Sequence, residues 1–244
     1  MANEVVAEKL YDPITEYFNG MNLTPSEKKQ RIAIAKKFYK KISIWFLGVY
    51  NDLKAGRFLH EKADGDYVDD LIALYIAMME DVDKAFIYDT EVNAKAMKFA
   101  TQVQGTNRRI VQSYTDDIEL SNAVMMGIKI PEEIIPSSLR YELGVRDNDD
   151  DDFPSWRCIE VATWETNWIY NYIGHKKKVE SGQLTHTWET MRDEKVRGSH
   201  ALADGQTVPI NEPFTVGGYK LMFPCDDSLG APPDEVLGCR CLEI

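Results

Sequence analysis

Asp147-Asn148-Asp149-Asp150-Asp151-Asp152 divides the chain. Five carboxylates in six residues repel one another and disfavour regular structure, so the run reads as a linker. Residues 1–146 before it carry 19 basic and 22 acidic side chains, net −3, while residues 147–244 carry 9 and 18, net −9. A calcium loop is the competing reading. An EF-hand loop needs Gly at its sixth position and Glu at its twelfth, and neither falls in place here.

Upstream of the run the pattern is helical. Thr24-Pro25-Ser26-Glu27 is a helix start, with a capping threonine, a proline at the first helical position and a glutamate completing a capping box. The helix it opens is expected to reach about residue 53, with Ile32, Phe38, Ile42, Trp45, Phe46 and Val49 on one stripe. Lys29, Lys36, Lys37, Lys40 and Lys41 form a second stripe, read either as a solvated face or as a contact for DNA or an acidic partner. Further helices are predicted over 67–103, with a break near 88–90, and over 108–126, ending at Gly127. Pro131-Glu132-Glu133 suits a short helix. The nine methionines read as core filler.

Downstream the texture changes. Residues 156–172 look helical and aromatic-rich, and Lys176-Lys177-Lys178 reads as a solvated loop after Gly174. Trp156, Trp164, Trp168, Tyr170, Tyr172 and Trp188 are expected to pack rather than to stack on bases. Strands are predicted at 185–188, 208–210 and 219–223. The fold class is therefore α+β: a long-helix domain over 1–146, the linker 147–152, and a small mixed module over 153–244 with short antiparallel strands.

Composition narrows the function. A formal net charge of −12 opposes bulk nucleic-acid binding. Uncharged stretches reach only about ten residues, such as 42–51, half of a bilayer span, so no membrane helix is expected. The start, Met-Ala-Asn-Glu-Val-Val-Ala-Glu, lacks the basic and apolar regions of a secretory signal. No G-x-S-x-G, P-loop, H-E-x-x-H or C-x-x-C motif occurs.

The densest group of site-like residues begins at Trp188 and runs through Asp193, Val196, Arg197, His200, Asp204 and Gly205 to Pro209 and Phe214, closing on Cys239-Arg240-Cys241. Asp193 and Arg197 have the spacing of an i, i+4 pair. Four readings of the polar groups stand open. His200, Cys239 and Cys241, with Cys225 or His186 as a fourth, offer zinc ligands, although a Cys-x-Cys pair strains a tetrahedral site. Alternatively, Cys239 and Cys241 pack on one face of a closing strand while Arg240 or Arg197 bridges Asp193 or Asp204. A late disulfide such as Cys225 with Cys239 is the third. In the fourth, His200 and Asp204 act as a base and its orienting carboxylate, with Glu165, Asp193 and the cysteines completing a metal-dependent hydrolase or nuclease.

In order and spacing these residues resemble the C-terminal domain of the phage Mu F-like minor head proteins, the head-morphogenesis family of tailed phages. The likeness covers 81 residues, from Val161 to Cys241. One element departs: Ala162-Thr163-Trp164-Glu165 stands where the family usually carries Ala-Arg-Thr-Glu, so the family's arginine is missing. The resemblance implies a MuF-like module in a non-catalytic minor capsid component. Such a protein is incorporated in few copies inside the prohead beside the portal, as a monomer or a homo-oligomer, after assembly in the host cytoplasm. Its implied partners are the portal, the major capsid or scaffold protein, and packaged DNA. No cofactor is implied. Longer relatives carry toxin-like domains after Cys-Arg-Cys, and this chain ends three residues beyond it.

Overall fold

The computed structural model describes residues 12–58, 61–145 and 155–244, with 61–64 as backbone only. The acidic run 147–152, and with it the calcium-loop reading and the limits of the linker, lies outside the described residues.

Asp12 opens α1 (Pro13–Asn19), its carboxylate accepting from the Thr15 N–H. α2 (Pro25–Lys54) starts where the capping signal places it: Thr24 Oγ1 accepts from the Glu27 N–H while Glu27 accepts from the Thr24 N–H. Two orphan amides of the first turn are thereby satisfied. The helix buries Ala35, Phe38, Ile42, Phe46 and Val49 at intervals of three and four. α3 (Glu61–Val82) and α4 (Thr90–Ser113) pack side by side, separated near the predicted break by a single 3-10 turn, Lys84–Phe86.

The helix expected over 108–126 is two helices. α4 continues to Ser113, and Asp117 starts α5 (Ile118–Met126) by accepting from the N–H groups of Glu119 and Leu120. A carboxylate that caps a new helix outcompetes continuation of the old one. Gly127 ends α5 in the left-handed region, as predicted. A 3-10 turn, Glu132–Ile134, and α6 (Ser137–Glu142) follow.

α7 (Trp156–Glu180) is longer than expected and absorbs the lysine run. Lys176 pairs with Glu91 at 3.1 Å, Lys177 with Asp83 at 2.7 Å, and Lys178 reaches the Glu243 carbonyl at 2.6 Å. The run is thus the last turns of a helix, held by acidic partners and by the favourable placement of cations at a helix C-terminus. Beyond it lie β1 (Thr185–Glu189), α8 (Gly198–Ala203), β2 (Thr207–Pro209), β3 (Phe214–Val216), β4 (Tyr219–Leu221), α9 (Pro233–Val236) and β5 (Leu242–Glu243). Among the described residues they form two small antiparallel sheets, β2-β1-β5 and β3-β4.

The expected domains share a core. Phe38, Ile42 and Phe46 of α2, Leu71, Tyr75 and Met79 of α3 and Phe99 of α4 belong to one buried cluster with Trp168 and Tyr172 of α7, Trp188 of β1, Phe214 of β3 and the cysteines Cys225, Cys239 and Cys241. Trp168 and Tyr172 stack with ring planes 7° apart at 5.0 Å. α7 follows the acidic run in sequence but packs along α2. A helix with buried residues on most of its circumference needs partners on several sides. The methionines divide: Met21, Met78 and Met79 are buried, whereas Met97, Met125 and Met126 are exposed.

Candidate functional site

The cluster forms where α8, α9 and the chain end converge on β1. At the sheet centre, Trp188 receives the Gly205 N–H on its carbonyl at 2.8 Å and donates to the Gln206 carbonyl at 2.9 Å. Gly205 sits at φ +78°, which favours a residue without Cβ. The Trp188 ring is fully buried, edge-on to His200 at 5.5 Å and to Phe214 at 5.4 Å. Three of the singled-out residues therefore form one aromatic nucleus.

His200 Nδ1 faces two sulfurs, Cys241 Sγ at 3.4 Å and Cys239 Sγ at 3.6 Å. Its Nε2 faces Glu235 Oε2 at 3.1 Å, and Ser199 donates to the same oxygen at 2.9 Å. Burial alone would lower the His200 pKa; the Cys239 sulfur and then Glu235 outweigh it and raise it. Cys239 is held well below an ordinary thiol by hydrogen bonds from Cys225, Cys241 and His200. Cys225 and Cys241 rise in response, chiefly because each shares a proton with Cys239. All four cysteines are buried free thiols in this structure. Cys225 holds φ +75°, rare without glycine, and its sulfur turns to the Asn167 amide at 3.5 Å and the Cys239 carbonyl at 3.4 Å.

The arginines brace this cluster, though not at helical spacing. Arg240 grips Asp193 with two parallel hydrogen bonds, Nη2 to Oδ1 at 2.6 Å and Nη1 to Oδ2 at 2.8 Å. That pairing holds the Asp193 carboxyl below its usual range. The expected Asp193–Arg197 pair is not made, because α8 starts only at Gly198 and Arg197 donates instead to the Leu237 carbonyl. Asp204 accepts from the Thr190 N–H at 2.8 Å and from Arg192 Nε at 2.9 Å, and these bonds lower its pKa. It does not meet His200. The base-and-carboxylate pairing of His200 with Asp204 is therefore corrected: α8 turns the two side chains to different partners.

His186 also leaves the cysteine group. It is buried beside His175 and Glu243, with His175 Nδ1 and His186 Nδ1 each 3.2 Å from Glu243 Oε1. Glu165 lies in another part of the core, accepting from Tyr75 at 3.0 Å and facing Lys95 at 3.5 Å. On α2, Lys29 and Lys40 are exposed and Lys41 half-buried, while Lys36 pairs with Asp12 and Lys37 with Asp81.

Several contributors were not anticipated. Asn167 and Asn171, one helical turn apart on α7, donate to the Cys239 carbonyl at 2.9 Å and the Pro224 carbonyl at 3.1 Å. Two amides within an aromatic helix are a legible sign of buried backbone to be satisfied. Arg31, whose pKa burial lowers to about 10, donates to Asn167 Oδ1. Tyr17 of α1 donates to the Cys239 carbonyl at 3.1 Å. Glu235 follows Pro232-Pro233-Asp234, whose prolines mark the helix start that presents it.

Comparison with protein-family models, with curated proteins and with solved structures finds no match to this chain.

Proposed function

We propose that this chain is a minor capsid or head-morphogenesis component of a tailed phage, acting by contact rather than by turnover inside the prohead near the portal. The observation that carries the reading is how the MuF-like residues spend their polar groups on one another and on neighbouring groups of the same module. Asp193 is closed by Arg240, Asp204 by Thr190 and Arg192, and Arg197 by the Leu237 carbonyl. Such a set suits a rigid end piece, since preorganised braces hold a shape without a reacting partner.

The helical half supplies the docking face. Ile118, Met125 and Met126 of α5 and Tyr141 of α6 are exposed, at 78%, 81%, 72% and 65%. Exposed apolar groups of this size suit burial against the portal or shell. A DNA contact, if made, falls to Lys29 and Lys40, because Lys36 and Lys37 are already paired. No helix among the described residues is long and apolar enough to cross a membrane.

Mass spectrometry of purified proheads and mature particles of the phage encoding this chain tests the reading. The expected result is low, fixed stoichiometry in the particle; absence from both particle forms would overturn it. Met125→Lys with Met126→Lys is expected to cut incorporation at least severalfold with stability within about 0.5 kcal/mol of wild type, as for surface changes generally.

A further inference from the structure

Zinc binds sulfur at about 2.3 Å and imidazole nitrogen at about 2.0–2.1 Å, so tetrahedral ligation sets nitrogen and sulfur roughly 3.5 Å apart. His200 Nδ1 stands 3.4 Å from Cys241 Sγ and 3.6 Å from Cys239 Sγ, and the three donor atoms lie within 4.8 Å of one another. Both nitrogen–sulfur separations match tetrahedral ligation. A single ring nitrogen offers one proton or one lone pair, and here it faces two sulfurs.

The surroundings favour a cation between them. With a metal bound, Glu235 Oε2, 3.1 Å behind the other ring nitrogen, would accept from Nε2–H and so free the Nδ1 lone pair for the ion. A carboxylate in that position is the usual support of a metal-binding histidine. Two thiolates neutralise a divalent ion, which suits residues only 2–3% exposed. Tyr17 and Asn167 fix the Cys239 carbonyl, and Asn171 donates to the Cys241 carbonyl at 3.4 Å, so the loop carrying both sulfurs is held from behind. A cavity of about 20 Å³, bounded by Met191, Lys195 and Arg197, adjoins the three donors. That is room for one water.

The geometry points to a zinc-class metal site with His200 Nδ1, Cys239 Sγ and Cys241 Sγ as ligands, a water as the fourth, and Glu235 as positioning residue. Cys225 stands outside the ligand set, its sulfur being engaged by Asn167. The second trio, His175, His186 and Glu243, is a poorer site, because Lys178 Nζ already places a cation 3.5 Å from Glu243 Oε1. Bound metal would tie α8 to the chain end and complete the brace. The inference stands whether or not the chain is built into a capsid.

Titration of the full, reduced, metal-stripped chain with Co(II) under anaerobic conditions is the test. One cobalt per chain is expected, with an intense sulfur-to-cobalt charge-transfer band and tetrahedral visible bands, both displaced by Zn(II). Cys239→Ser and Cys241→Ser should each weaken the charge-transfer band, while Cys225→Ser keeps it. Glu235→Gln should weaken zinc binding about 10–100-fold, as removal of such supports does. Wild-type chain that is folded yet gives no charge-transfer band with equimolar cobalt overturns the site, and this arm needs no variant to fold. Loss of the band in Cys225→Ser alone overturns the ligand set.

Discussion

At the scale of single residues, Glu243 shows how position rather than type sets a charge. Burial by itself would raise its carboxyl, but hydrogen bonds from His175 and His186 and the charge of Lys178 outweigh burial and hold the pKa at about 2, against an ordinary 4.5. A carboxyl depressed on folding contributes stability that is complete above its unfolded pKa and is lost as pH falls toward its folded one. Unfolding free energy from urea titrations should therefore fall between pH 4.5 and about 2. Glu243→Gln should remove roughly 2–3 kcal/mol at neutral pH and flatten that acid limb. An unchanged limb in the variant would contradict the assignment. Residues of this kind were the least legible in the sequence. Trp188, His200, Cys239, Arg240 and Cys241 were singled out and do meet, because an ordered motif marks a shared location. Their pairings were readable only as alternatives: the bridge of Arg240 to Asp193, 47 residues away, was one of several left open and is the one made, whereas Arg197 four residues on bonds the Leu237 carbonyl. Local spacing carries no information about which loop returns.

At the scale of elements, legibility follows the strength of local chemistry. The Thr24 capping box and the glycine stop at Gly127 are complete within a few residues, and both ends fell where they were read. The two- and three-residue strands β3 and β5 are too short to show a period, and their existence depends on partners distant in sequence. Glycines give the sharpest test at this scale. Gly56 ends the approach of α2 to the C-terminus of α5 at φ +74°, and a Cβ there would lie 2.5 Å from the Gly127 carbonyl carbon and 2.6 Å from the Ile128 carbon. Both obstacles are backbone and cannot swing away. Gly56→Ala should cost about 3 kcal/mol, combining left-handed strain with overpacking. Gly105, inside α4, has nothing within 4 Å of the same added atom. Gly105→Ala should instead stabilise by about 0.5–1 kcal/mol, the ordinary helix gain. Denaturant midpoints of the two variants should move in opposite directions.

At the scale of the whole molecule, links across the acidic run should make unfolding a single event. The Arg31–Asn167 and Tyr75–Glu165 hydrogen bonds and the Tyr17 contact to Cys239 all join the helical half to the C-terminal half, across a common apolar cluster. Lys95 is the most exacting of these links. From α4 it faces Glu165 at 3.5 Å and Asp227 at 3.7 Å, beneath little solvent, with its ammonium 5.2 Å from the Trp168 ring centroid. Burial disfavours its charge, but the two carboxylates outweigh that and raise its pKa, so the ion pair persists at neutral pH. Replacing one member of a buried ionic group leaves the others uncompensated, at a cost of about 3–5 kcal/mol. Lys95→Met should lower the melting temperature of the entire chain, with calorimetric and van't Hoff enthalpies still equal. The segment 153–244 expressed alone should show no cooperative transition, because Trp168, Ile169 and Tyr172 of α7 would lose the helices that cover them. Two resolved transitions in the intact chain, only one of them displaced by Lys95→Met, would mean that the halves fold independently and that the shared core does not couple them.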